Sequence, residues 1–496
     1  MEVHDLRIVL APALSLACAI LIFLVGRHDL WRAVLTLSAS VVKLGIVLSM
    51  LPGSLAGTVY VYELADFPPG IGIGFRADGL GMFFALVSST LWVVTTIYAI
   101  GYMKGKHARV RFFGFFALCV STTVGLAFAE NLLTLFLFYE LLTVCTYPLV
   151  IHDETPEALK AGRKYLAYTL SGGVLILLGV VLVQHLAGTL TLSMPGILSL
   201  EAGGPMLSAT FLALVAGFGV KAAIMPLHGW LPTAMIAPTP VSALLHAVAV
   251  VKAGVFGLLR VIYNVFGVDL LAVLGYTDWL ALFAGFTIIA ASVLALAQSN
   301  LKLRLAYSTV SQLSYIVLAA SLLTPLAAMA AIAHIANQAF AKITMFFVAG
   351  AVERTTGRTH IRELAGIGRV MPWTMGAFTV AALSFIGVPL FAGFVTKWFL
   401  SLGALQAGAW WWVLLMVASS LLNAAYWLPI LYLAWFREPR GLPDGVHEAA
   451  GMLLVPTLIS AAYVLLLGMT SRIPGMPFSL AEAAVRFVTG IQGGIH

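Results

Sequence analysis

Fourteen stretches of about 20 apolar residues follow one another along this chain, starting near residues 6, 31, 78, 111, 131, 163, 206, 240, 272, 303, 325, 372, 410 and 452. A run of that length spans the ~30 Å hydrocarbon layer of a bilayer as a helix. Lipid offers no hydrogen bonds, so a spanning segment must satisfy its own backbone, and runs this long and this apolar do so as helices. The expectation is an all-α integral membrane protein of about 14 transmembrane helices. Only 9% of residues are charged and the mean hydropathy is +1.02, against about 25% charged in an ordinary aqueous domain. That excludes both a soluble enzyme and a disordered chain. The first apolar run has no basic segment before it and no small-residue cleavage site after it, so it reads as a retained span.

The positive charges assign sides. Of 27 Lys and Arg, 17 fall in alternate loops, among them Arg27, Lys104, Arg111, Arg163, Lys302, Arg354 and Arg440, and five (Arg7, Arg76, Arg260, Arg472 and Arg486) fall on the other side with both termini. Basic loops stay inside, which places both termini outside a cytoplasmic (inner) membrane. Scattered over short loops, the net charge of +7 is membrane orientation and no nucleic-acid footprint. Cys18, Cys119 and Cys145 sit in apolar runs without CxxC spacing and read as small buried hydrophobes. The mixed-charge stretch Asp153 to Lys164 is expected to lie along the cytoplasmic interface before the sixth span.

Two spans are interrupted. The seventh meets Pro226 and then Pro232, Pro238 and Pro240; the twelfth meets Gly387-Val388-Pro389 in its middle. A broken helix in hydrocarbon leaves free amides and carbonyls, which survive only where protein or water satisfies them. The two breaks lie five spans apart, and five is odd, so the repeats that contain them must be inverted. Such a pair points to a transport path at the repeat interface. The organisation expected is an N-terminal three-helix segment (1–110), two inverted five-helix repeats (111–266 and 267–436), and a last span with a tail (437–496).

Ionisable groups inside the spans sharpen this. Glu140 is the one acidic residue read as deep, and Lys43, Lys221, Lys252, Lys342 and Lys397 are the lysines; each such group costs at least about 2.5 kcal/mol near a bilayer centre. Static pairing or snorkelling is the plain alternative for any single one. Lysine suits proton transfer because burial and a nearby carboxylate move its affinity for the proton in opposite directions. Glu140, with Thr143 and Tyr147 on its face, is expected to hold Lys221, one turn before Pro226. His246 and Lys252 share the eighth span about 120° apart. In the eleventh, His334, Gln338 and Lys342 form one stripe, opposite Ser308, Ser311, Gln312 and Tyr315 of the tenth. Lys397 follows Pro389 on the second half of the broken twelfth span. Lys43 lies outside both repeats and reads as snorkelling or as a subunit contact.

The run from Pro226-Leu227-His228-Gly229-Trp230 through Ala237-Pro238-Thr239-Pro240 to His246 resembles the signature of the antiporter-like proton-translocating subunits shared by Mrp-type multi-subunit cation/proton antiporters and respiratory complex I. Phe138-Tyr139-Glu140-Leu141 resembles that family's fifth-helix motif, Lys221 its seventh-helix lysine, and Gly387-Val388-Pro389 through Lys397 its broken twelfth helix. The resemblance implies a proton relay through Glu140, Lys221, Lys252, His334 and Lys397, with Lys342 matched less uniformly. His228, His246, Ser308, Gln312, Tyr315 and Gln338, with the hinges Pro226 and Pro389, support it. Lys397 and Lys252 look most like the Mrp D-type subunit.

Two functions compete: a proton-translocating subunit of an Mrp-type Na+/proton antiporter, or a proton-pumping arm of a redox-driven complex such as complex I or a membrane-bound hydrogenase. Either implies other membrane subunits as partners and protons, with Na+ in the first case, as cargo. The chain would have no catalytic chemistry of its own outside a redox complex. No cluster-binding cysteine spacing and no phosphate-cradling glycine loop is present, so neither cofactor nor metal is expected. A degenerate scaffold would need its buried charges paired, and five lysines against one deep glutamate do not pair. A transporter of an organic solute would need further polar or aromatic groups at the breaks.

Overall fold

The computed structural model describes residues 1–66, 72–439, 445, 447–470 and 477–489; Arg440 and Arg472 of the charge census lie outside them. The chain starts with a short strand β1 (Glu2–His4), then helices α1 (Arg7–Val25) and α2 (Asp29–Leu55), strands β2 (Val59–Asp66) and β3 (Gly72–Ala77), and helices α3 (Gly79–Tyr102), α4 (Arg109–Ala127), α5 (Leu132–Val150), α6 (Pro156–Ala187) and α7 (Gly204–Ala222). A long helical span α8 (Thr239–Phe266) follows. After it come α9 (Tyr276–Ala297), α10 (Leu301–Ser321), α11 (Pro325–Thr356), α12 (Pro372–Ile386), α13 (Ala392–Gln406), α14 (Trp411–Phe436), α15 (Gly451–Met469) and α16 (Pro477–Thr489).

Among the described residues, twelve of these helices are long and apolar enough to cross a membrane. The two other expected spans coincide with α10, which carries Ser308, Ser311, Gln312, Ser314 and Tyr315, and with the pair α12–α13, each of which has 15 residues. Local chemistry sets the starts. Asp78, Asn131, Thr155, Asn300 and Thr324 each accept a hydrogen bond from a backbone amide in the first turn of α3, α5, α6, α10 and α11. Pro156 and Pro325 occupy first-turn positions, where a missing N–H costs nothing.

Two helices form the axis. Every residue of α8 is buried, and in α11 every residue from Ala327 to Val352 is buried. A helix covered on all sides has no lipid face, so every polar residue it carries must be met by protein or water. Outer helices show lipid-facing side chains instead, such as Val174 and Val181 of α6, Phe286 of α9 and Leu421 of α14.

Helices are not the whole of the fold. β1 pairs in parallel with β2, and β2 antiparallel with β3, making a three-stranded sheet at the N-terminal ends of α1 and α3. The alternation Val59-Tyr60-Val61-Tyr62 is a strand pattern that the span count passes over. The segment from Asp153 also differs from expectation. It forms no separate interfacial helix: after a short loop, α6 runs unbroken for 32 residues from Pro156, or about 48 Å at 1.5 Å per residue. Its basic first turns simply project beyond the ~30 Å hydrocarbon layer.

Candidate functional site

The break between α12 and α13 is the best-defined part of the site. Gly387 ends α12 with φ 93°, and Leu390 has φ 79° before α13 begins. Glycine tolerates that conformation because it has no Cβ. Here a Cβ would also lie 3.2 Å from the Lys397 side chain. Interruption leaves the last carbonyls of α12 without amide partners, and Lys397 takes two of them. Its Nζ donates to the carbonyls of Phe385 (2.8 Å) and Ile386 (3.2 Å) and to Ser420 Oγ (2.9 Å). An ammonium has three N–H donors, and all are used, one turn inside α13 and buried.

From this break a hydrogen-bonded chain runs through α10, α11 and α14. His334 Nδ1 lies 2.9 Å from Thr396 Oγ1, beside Lys397, and 3.4 Å from Asn337 Nδ2. Its Nε2 lies 3.2 Å from Gln312 Oε1, which can only accept, so Nε2 carries the hydrogen. Gln312 Nε2 donates to Asn423 Oδ1 (3.5 Å), which also accepts from the Tyr426 hydroxyl. Tyr426 Oη lies 3.3 Å from Ser308 Oγ, and Lys342 Nζ donates to that same Ser308 Oγ at 2.6 Å. Tyr315 stacks on the His334 ring, centroids 5.5 Å apart, and donates to Ser419 Oγ. Ser384 donates to Asn337 Oδ1 and accepts from the Gly393 amide, joining the break to the chain. Lys342, Ser308, Gln312, Tyr315, His334 and Lys397 are thus brought together, as the sequence implies.

Sequence reasoning missed Asn337, Ser384, Thr396, Ser419, Ser420, Asn423 and Tyr426. The signal was present: Ser419, Asn423 and Tyr426 recur at i, i+4 and i+7 on one face of α14.

The first half is differently built. In α8, Leu244–Val248 is a π-turn in which the Ala249 amide donates to the Leu244 carbonyl five residues back. Such a turn shifts the helical phase and leaves a carbonyl without its amide, and Gln338 of α11 donates to the free His246 carbonyl at 3.2 Å. The 120° separation of His246 and Lys252 assumed an unbroken α-helix and does not apply across this turn. The His246 ring packs on Phe346, and neither its nitrogens nor Lys252 Nζ has a protein partner among the described residues. Lys252 is near enough to His334 and Lys342 to act on both electrostatically.

Glu140 and Lys221 act on each other electrostatically, as expected, but without a direct ion-pair contact among the described residues. Lys221 Nζ donates to the Tyr139 carbonyl (2.5 Å) and lies 3.4 Å from the centroid of the Tyr139 ring. One residue on, Glu140 is half-buried and points toward α6, where Gly173 leaves room for its carboxyl: a Cβ there would be 2.5 Å from Oε1. Consecutive helical residues diverge by about 100°, so the same turn of α5 presents a carbonyl to Lys221 and a carboxylate elsewhere. His228 is half-buried near Tyr307; Pro226 and Pro389 are exposed at the two breaks.

Two further charges differ from the sequence reading. Lys43 neither snorkels nor faces outward: it is fully buried, its Nζ 3.6 Å from the centroid of the Trp92 ring. Arg260 is no loop residue: it lies in α8 and makes a fully buried pair with Asp78, whose oxygens accept at 2.6 and 2.9 Å. Asp78 is therefore a fully buried carboxylate, at the start of α3.

A family model described as NADH:quinone oxidoreductase/Mrp antiporter, TM, matches residues 129–423, and one for the N-terminus of complex I chain 5 matches residues 67–113. NADH-quinone oxidoreductase subunit N of Desulforudis audaxviator is 33% identical over 434 residues, covering 83% of this chain and 85% of that protein. The D-type subunit of the Na(+)/H(+) antiporter of Alkalihalophilus pseudofirmus is 27% identical over 428 residues, covering 86% of each. Among solved structures, a chain of the membrane-bound sulfane sulfur reductase, an archaeal respiratory membrane complex, superposes with a TM-score of 0.88 at 25% identity, covering 98% of both chains.

Proposed function

The chain belongs to the NADH:quinone oxidoreductase/Mrp antiporter membrane family, and from that premise we propose that it moves protons through its buried Lys/His relay as a subunit of an Mrp-type Na+/proton antiporter. It is a multi-pass membrane subunit whose partners are other membrane subunits. In this proposal it sits in the cytoplasmic membrane with both termini outside, and residues 111–266 and 267–436 act as inverted halves.

The observation that carries the reading is the connected chain from Lys342 through Ser308, Tyr426, Asn423 and Gln312 to His334 and Thr396, ending beside Lys397 at a helix break. A static core has no use for three buried basic groups on one network, since each costs several kcal/mol to desolvate. Asn423 Oδ1 accepts from both sides, so the amides orient the chain and the proton is held at Lys342, His334 and Lys397. Lys221 and Lys252 serve the first half, where the transfer runs through water between groups that protein does not bridge. Glu140, whose Oε1 is buried against Gly173 of α6, acts on Lys221 electrostatically and tunes that carrier.

A redox-driven pump is the second reading, favoured by the 33% identity to a quinone oxidoreductase subunit over most of both chains. The deciding measurement is sodium-dependent proton efflux in everted vesicles with the assembled complex, wild type beside Lys397→Ala. Sodium-driven efflux lost in the variant is the expected result. Proton movement that ignores sodium but requires electron transfer would replace the antiporter reading with the pump.

A further inference from the structure

The geometry points to a divalent transition-metal site of the zinc class, formed by His107, His152 and Asp153 where the α3–α4 and α5–α6 loops meet. One donor atom from each of the three lies within 4.8 Å of those of the other two. His152 is fully buried, and neither ring nitrogen has a hydrogen-bond partner among the described residues. Buried polar atoms are ordinarily bonded, so an imidazole left with both nitrogens free, against two further metal-ligating side chains, calls for a ligand.

The ligand chemistry is that of zinc. Two imidazoles and one carboxylate are the donor set of open zinc sites, with water completing the shell. At a zinc–nitrogen distance of ~2.1 Å, tetrahedral donors stand about 3.4 Å apart, so the donors must close by at most about 1.4 Å from 4.8 Å. Asp153 is exposed and free to turn, and His107 is exposed with its ring stacked on that of His152, centroids 4.8 Å apart. His107 Nε2 lies 3.1 Å from the His152 carbonyl, which only accepts, so that nitrogen carries the hydrogen and Nδ1 keeps its lone pair. A ligating histidine whose other nitrogen donates to a carbonyl is the usual supporting arrangement. Arg111 donates to the His152 carbonyl and pairs with Glu154. A bound ion would tie the end of α3 to the end of α5, the helix that carries Tyr139 and Glu140.

The test uses the full-length protein, or the complex that contains it, purified with a tag free of histidine and stripped with EDTA. Zn2+ alone is titrated against a chromophoric chelator, and Co2+ is added separately for its visible absorption. One Zn2+ per chain and a four- or five-coordinate Co2+ band are expected, with affinity falling at least tenfold in His107→Ala and in Asp153→Asn. Both positions are exposed, so the variants fold. Wild type that cannot compete with the chelator, or surface variants that bind as well as wild type, would overturn the site. Transport is not the readout, so the result stands apart from the proposed function.

Discussion

Tyr426 is the residue on which continuity of the polar chain depends, since its one hydroxyl touches both Ser308, which holds Lys342, and Asn423, which leads to His334. Tyr426→Phe keeps the ring and its edge contact with Trp427 while removing the link. A buried acceptor left unpaired costs about 1–3 kcal/mol, which the assembled complex tolerates. We expect proton translocation in vesicles to fall about tenfold or more with assembly unchanged. Wild-type rates in assembled Tyr426→Phe would remove the chain from the path. Lys43 belongs to a different class: with Trp92 beneath its ammonium and no link to the chain, it acts in packing of the N-terminal helices.

At the scale of elements, interruptions place the chemistry. The α12–α13 break exposes carbonyls that bind Lys397, and the π-turn of α8 exposes one that binds Gln338; in both, a side chain meets the backbone at an interruption. The sheet end of the molecule carries its own titration. Glu130, in the loop between α4 and α5, has its carboxyl raised above the ordinary range by burial and then by Glu63. A raised carboxyl means the folded state holds its proton longer, so this contribution is fully present below the unfolded value of 4.5 and is lost as pH rises through the folded one. Glu130→Gln should therefore stabilise the protein at pH 7 and make little difference near pH 4, read as thermal unfolding in detergent at the two pH values. An equal effect at both would exclude this titration.

For the whole molecule, α8 and α11 form a fully buried axis, and the N-terminal helices are fastened to it by Asp78 of the α3 cap and Arg260 of α8. Removing one member of a buried pair leaves the other uncompensated, at about 3–5 kcal/mol. Asp78→Asn should lower the thermal midpoint of the purified chain far more than Lys302→Ala, which breaks a partly exposed pair with Glu353; equal shifts would show that the buried pair does not join the two parts. By itself the sequence determined the membrane class, where the long apolar helices lie, both interruptions, and that Lys221, Lys252, His334, Lys342 and Lys397 are buried in them as candidate carriers. Apolar length and the cost of buried charge act locally along the chain, so they are legible without coordinates. Only the tertiary structure decided what each charge meets. That Lys221 rests on the Tyr139 carbonyl and not on Glu140, that Arg260 is a buried partner of Asp78, and that Asn423 and Tyr426 complete the chain depend on how helices far apart in sequence rotate against one another. No period or motif in one helix fixes the rotation of its neighbour.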